Sequence, residues 1–142
     1  MKVSKMDHIS VAVKSIEAAR IIWEPLLGKS GPDDQYVDGP EKIRVARYVL
    51  DGIGFELLES TAPDGPVADW IRKKGEGIML VSFKVENTRE AVQELESADY
   101  PFIVNPTPLA GDATEKARSF RDSEFAFLHP GKMNGVLVEL ID

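Results

Sequence analysis

Twelve residues near the start of the chain, His8-Ile9-Ser10-Val11-Ala12-Val13-Lys14-Ser15-Ile16-Glu17-Ala18-Ala19, return in altered form as Leu80-Val81-Ser82-Phe83-Lys84-Val85-Glu86-Asn87-Thr88-Arg89-Glu90-Ala91. A second pair closes each half, Phe55-Glu56-Leu57-Leu58 and Val138-Glu139-Leu140-Ile141. Such doubling restricts the fold, because each half must be a supersecondary unit that the other can repeat. The expected fold is α+β, two βαβββ modules forming a shared cupped mixed sheet within a single domain, 1–142. Module 1 covers about 5–60, a linker and short helix about 61–75, and module 2 about 76–142.

Local patterns place the elements. Met6 to Val13 alternates large apolar with small or polar residues and predicts a strand. Ser15 reads as an N-cap before an apolar stripe of Ile16, Ala19, Ile22, Trp23, Leu26 and Leu27 that stops at Gly28, with Pro25 disturbing the last turn. Strands 43–50 and 53–60 flank Asp51-Gly52, a strong hairpin signal. A short helix spans Pro66 to Lys74. The second half repeats the order with a strand from Ile78 to Val85, a helix capped by Asn87, a short strand from Pro101 to Val104, and strands 124–129 and 135–141. The loop Asn105 to Asp122 is long enough to serve as a lid or binding element.

Composition narrows the classes of function. The chain has 142 residues, no cysteine and a net charge of −7. No disulfide, thiolate metal site or cysteine nucleophile is possible, and the absence of cysteine fits a cytoplasmic protein. The acidic balance argues against a nucleic-acid partner, and no apolar run approaches a membrane span, so the expected partner is a small molecule. The N-terminal residues carry Lys2, Lys5 and Asp7 and lack the apolar run of a signal peptide.

Strand alternation puts His8 on one face with Ser10, and Leu80 on the repeated face with Ser82; Glu56 and Glu139 occupy matching places in the closing strands. If the helices cover the faces carrying Ile9, Val11, Phe83, Leu57 and Leu140, the opposite faces hold His8, Glu56, Leu80 and Glu139. A glutamate between apolar neighbours is costly to bury without a partner, and a divalent cation is one solution. One imidazole and two carboxylates with open positions would suit a catalytic metal. The same residues also suit an ordinary half-solvated sheet.

The runs Asp7-His8-Ile9-Ser10-Val11-Ala12-Val13, Phe55-Glu56-Leu57-Leu58-Glu59, Lys74-Gly75-Glu76-Gly77-Ile78, Phe127-Leu128-His129-Pro130 and Gly135-Val136-Leu137-Val138-Glu139-Leu140 together resemble the vicinal oxygen chelate (glyoxalase, bleomycin resistance, dioxygenase) superfamily, and within it the methylmalonyl-CoA epimerases. The resemblance implies that His8, Glu56 and Glu139 match three of four metal-ligand positions. The fourth, a histidine in the family, is Leu80 here, within Gly77-Ile78-Met79-Leu80. The implied cofactor is a divalent ion (Mg2+, Mn2+, Co2+ or Zn2+). With one imidazole lost, hard ions suit the remaining set better than zinc, and affinity falls.

By the same resemblance the implied activity is an isomerase that removes and returns the proton alpha to the thioester of a 2-carboxyacyl-CoA, with metal assistance. Glu139 is the expected base and Glu56 a further catalytic carboxylate. Ser10, Leu80 and Ser82 would line the substrate; in an otherwise acidic chain Lys116, Arg118, Arg121 and Lys132 are the candidates to meet the CoA phosphates, the alternative being an ordinary solvated charged loop. A homodimer is also implied. Two alternatives remain: a repurposed metal-independent lyase or cyclase using the same acid–base groups, and a non-catalytic protein that binds a small molecule.

Overall fold

The computed structural model describes Met1–Asp142 throughout. The elements run β1 (Val3–Ala12), α1 (Ile16–Leu27), β2 (Asp34–Asp38), β3 (Ile43–Leu50), β4 (Ile53–Ser60), α2 (Pro66–Lys74), β5 (Gly77–Val85), α3 (Thr88–Ser97), β6 (Arg118–Phe120), β7 (Ser123–Leu128) and β8 (Leu137–Ile141), with a single 3-10 turn at Pro130–Lys132 before β8. The chain divides into two compact units, His8–Met79 and Met1–Asp7 with Leu80–Asp142, so the division crosses β1 and β5.

In the His8–Met79 unit the strands lie in the order β2, β3, β4, β1. β4 runs antiparallel to β3 and parallel to β1, with Ile9 opposite Phe55 and Ser10 opposite Glu56. The hairpin turns at Asp51 (φ 50°) and Gly52 (φ 78°), both left-handed as a two-residue turn of this kind demands, so Leu50 faces Ile53 and Arg47 faces Glu56. One face packs beneath α1: Val11, Val13, Tyr48, Phe55 and Leu57 are buried against Ile16 and Ala19, with Trp23 and Leu27 against the cluster. The Trp23 and Phe55 rings stack at 4.8 Å. Ser15 caps α1 by accepting from the Ala18 N–H, and Gly28 ends it in the left-handed region. Pro25 is accommodated within the last turn. The expected apolar stripe is narrower than predicted. Ile22 and Leu26 stand 71% and 74% exposed, because they lie round the side of the helix from the line Ile16, Ala19, Trp23 and Leu27.

The other unit repeats this plan with β5, β8, β7, β6 in order. β5 pairs with β8 in parallel, with Ser82 opposite Glu139, and β8 pairs antiparallel with β7. Under α3, whose Asn87 cap accepts from Glu90 N–H, lie Ala91, Leu128, Val138 and Leu140, with Phe83 and Leu95 packed against them. The short strand expected at Pro101–Val104 does not form. Phe102 makes one isolated bridge to Leu128, and the edge strand of β7 is Arg118–Phe120 instead. Pro101 has no N–H to give to a ladder, whereas Arg118 to Phe120 returns along β7 after the loop.

Candidate functional site

Each unit places a buried glutamate on its last strand, with a serine directly across on its first. In the His8–Met79 unit, Glu56 is only 4% exposed, and its Oε1 accepts from Ser10 Oγ at 3.3 Å and stands 3.4 Å from His8 Nε2. In the other unit, Ser82 Oγ donates to Glu139 Oε1 at 2.6 Å, and both side chains are buried. The serine–glutamate pair is thus repeated along with the strands that carry it. Leu80, in register with Leu137, adds an apolar residue to the strand that holds Ser82.

The largest addition to what the sequence suggested is Arg47. It lies across the β3–β4 hairpin from Glu56 and donates from Nη1 to Glu56 Oε2 at 2.7 Å. Its guanidinium lies over Gly54, which faces His8 in the parallel pairing. A Cβ at position 54 would meet Arg47 Nη1 at 2.5 Å, Cζ at 2.6 Å and Nη2 at 2.7 Å, so the missing side chain is the space the guanidinium fills. Counting back from the Asp51-Gly52 turn would have found the pairing, since that turn sets the register. The family pattern, made of histidines and glutamates, does not point to it.

The donors do not fit a divalent ion. No group of three or more His, Cys, Asp or Glu side chains is gathered for one. Both Glu56 oxygens already have partners, one of them a full positive charge, and His8 turns its Nε2 toward the carboxylate. Leu80 offers no ligand atom at the fourth expected position.

The charged loop is built rather than open. Asn105 Nδ2 donates to the Ala117 carbonyl at 2.7 Å. Asp112 accepts from the Thr114 hydroxyl, Thr114 N–H and Ala117 N–H. Burial alone would raise the Asp112 carboxyl; the three hydrogen bonds, aided by Arg89, outweigh it and hold the group below the ordinary aspartate value. Of the residues expected to meet phosphates, Lys116 lies 3.8 Å from Glu96, Arg118 stacks over Phe127 at 5.3 Å, Arg121 stacks over Phe120 at 5.2 Å, and Lys132 donates to the Asp99 carbonyl. His129 is exposed and caps the 3-10 turn, its Nδ1 accepting from Gly131 N–H.

A doubled βαβββ chain with an acid on the last strand of each unit defines a vicinal oxygen chelate protein. The profile of the Glyoxalase/Bleomycin resistance protein/Dioxygenase superfamily matches residues 7–116, and the chain belongs to that superfamily. It is similar to the uncharacterized protein YqjC of Bacillus subtilis (strain 168), 32% identical over 139 residues and covering 98% of this chain and 92% of that one. The mitochondrial methylmalonyl-CoA epimerase of Dictyostelium discoideum is 28% identical over 141 residues, covering 97% of this chain and 78% of its own. A variant of the Streptomyces coelicolor methylmalonyl-CoA epimerase, solved with 2-nitronate-propionyl-CoA, shares the fold with a TM-score of 0.81 at 23% identity, covering 99% of this chain and 94% of that one. No helix is long and apolar enough to cross a membrane.

Proposed function

We propose that the chain is an isomerase of the methylmalonyl-CoA epimerase kind, acting on an acyl-CoA that carries a carboxylate beside an acidic alpha hydrogen. The observation that carries this reading is the repeated serine–glutamate pair, Ser10 with Glu56 and Ser82 with Glu139, in a chain whose near full-length relatives include proteins named as epimerases. Glu139 is the base. Its carboxylate takes the alpha proton and the C–H electron pair moves onto the thioester oxygen as an enolate; as the carbonyl re-forms, solvent water protonates the alpha carbon from the opposite face and Glu139 releases its proton to solvent, completing the inversion. Ser82 donates to Glu139 Oε1 and helps fix the carboxylate's rotamer. Arg121, exposed on its loop, and the partly exposed Lys116 and Arg118 supply local positive charge for the CoA phosphates of an otherwise acidic protein. The protein works in the cytoplasm as a homodimer, a state that light scattering of the purified chain checks.

The Arg47–Glu56 ion pair favours a reaction that runs without a divalent ion. Deuterium uptake at the alpha carbon of methylmalonyl-CoA in deuterated buffer tests the activity. Wild-type protein exchanges the hydrogen, and Glu139→Gln retains ligand binding while losing roughly 100-fold or more of the exchange rate. No exchange with or without added Co2+ or Mg2+ would overturn the reading in favour of a binding protein.

A further inference from the structure

We infer that the outward face of α1 is an interface, and that a second copy of this chain covers it by packing its own α1 antiparallel across a two-fold axis. The choice of occupant rests on the homodimer reading, while the physical basis lies within the His8–Met79 unit and does not depend on the reaction.

The helix is apolar on two sides. Ile16, Ala19, Trp23 and Leu27 pack onto the sheet. The charged residues Glu17, Arg20 and Glu24 share one arc, where Glu24 Oε2 accepts from Arg20 Nε at 2.7 Å and from the Tyr48 hydroxyl at 2.6 Å. The remaining arc, Ala18, Ile21, Ile22, Pro25 and Leu26, carries no charge, and Ile21, Ile22 and Leu26 are 76%, 71% and 74% exposed. A helix with apolar inner and outer faces belongs between two packing surfaces, and a single chain supplies one. The patch continues onto the sheet, because Ile53, 42% exposed, shares a face of β4 with Phe55, whose ring meets Trp23.

The duplicated helix is an internal control. In the register that matches Ala19 with Ala91, the outward positions of α1 correspond to Glu90, Gln93, Glu94, Ser97 and Ala98 at the end of α3, all of them exposed. The inward pairs, Ala19 with Ala91 and Trp23 with Leu95, pack on their own cores in both units. The two helices therefore differ on the outside, where α3 is dressed for water and α1 is not.

A two-fold contact requires the patch to complement itself. Antiparallel packing about a point between Ile22 and Pro25 lays those side chains across one another. It also brings Lys29, just past the end of one helix, beside Glu17 in the first turn of the other. The opposed helix dipoles add to that attraction.

Light scattering of the full chain at micromolar concentration reads the contact. The wild type has twice the chain mass. Ile22→Glu combined with Leu26→Glu sets carboxylates of the two copies against each other; each substitution counts twice, so the dimer dissociation constant rises by roughly 100-fold or more. Both side chains are exposed in the single chain, so this variant keeps its far-UV circular dichroism and a cooperative thermal transition. The matching change on α3, Gln93→Glu with Ser97→Glu, leaves the dimer intact. Because the chain lacks cysteine, Ile22→Cys carries a single thiol, and a bis-maleimide spacer of about 10 Å, the separation of packed helices, joins two copies. Gln93→Cys is not joined. This second reading adds no charge and stands apart from the folding of the glutamate variant.

A monomeric wild type would overturn the inference together with the homodimer reading and leave the face to a different protein. A dimer that survives Ile22→Glu with Leu26→Glu, or that the spacer fails to join through Ile22→Cys, would overturn this inference alone. An α1-dependent dimer without alpha-proton exchange would refute the isomerase reading and leave this one standing.

Discussion

Glu56 sits in a nearly dry place beside one cation, and removing that cation leaves a carboxylate with a hydroxyl and an imidazole for company. Arg47→Met is therefore expected to cost about 2 kcal/mol in urea unfolding, below the range for a fully buried pair because Arg47 is partly exposed. Adding Glu56→Gln to Arg47→Met should recover most of that loss, since no charge is then stranded. A double variant no more stable than Arg47→Met would show that the pair is not coupled. Asp112 provides a second case. Its carboxyl is held below the ordinary value, so the stability it contributes is present above the unfolded pKa, about 3.9, and is lost as pH falls through the lower folded value. Asp112→Ala should be about 2 kcal/mol less stable at neutral pH, because it orphans the Thr114 and Ala117 N–H groups. The gap to wild type should narrow as pH falls below about 4. The buried strand positions of His8, Glu56 and Glu139 follow from strand alternation, whereas the pairing of Arg47 with Glu56 needs the partner strand.

At the scale of elements, local chemistry was readable wherever it alone decides the structure. Ser15 and Asn87 cap their helices, Gly28 ends α1, and Asp51-Gly52 turns the hairpin, as each residue's short-range hydrogen bonding or φ preference demands. Gly28→Ala places a side chain at φ 70° and should lower the melting free energy by about 1 kcal/mol, measured by thermal unfolding; a neutral result would mean that the cap is not held in the left-handed region. The third strand of the second unit lies elsewhere than the apolar pattern predicts, because edge pairing is decided by tertiary contacts. Apolar content pointed to Pro101–Val104, and Phe102 does touch β7 at Leu128, but the ladder there is made by Arg118–Phe120 from inside a charged stretch. The buried stripe of α1 is narrower than its apolar pattern for a related reason: exposure of Ile22 and Leu26 depends on which arc of the helix the sheet covers.

At the scale of the whole molecule, duplication is the property most legible in the sequence. Ser10 and Ser82, and Glu56 and Glu139, keep their register in the two units. Opposite those glutamates the copies differ, with Arg47 facing Glu56 and Phe127 facing Glu139. Glu56 is held by the Arg47 guanidinium and Ser10, and Glu139 accepts from Ser82 across the ladder from Phe127. The most direct measurement is deuterium incorporation at the alpha carbon of methylmalonyl-CoA, followed by NMR in deuterated buffer containing a strong chelator. The account predicts steady incorporation that added Co2+ does not accelerate and that Glu139→Gln reduces by roughly 100-fold or more. Incorporation that appears only when a divalent ion is supplied, or none under any condition, would contradict it.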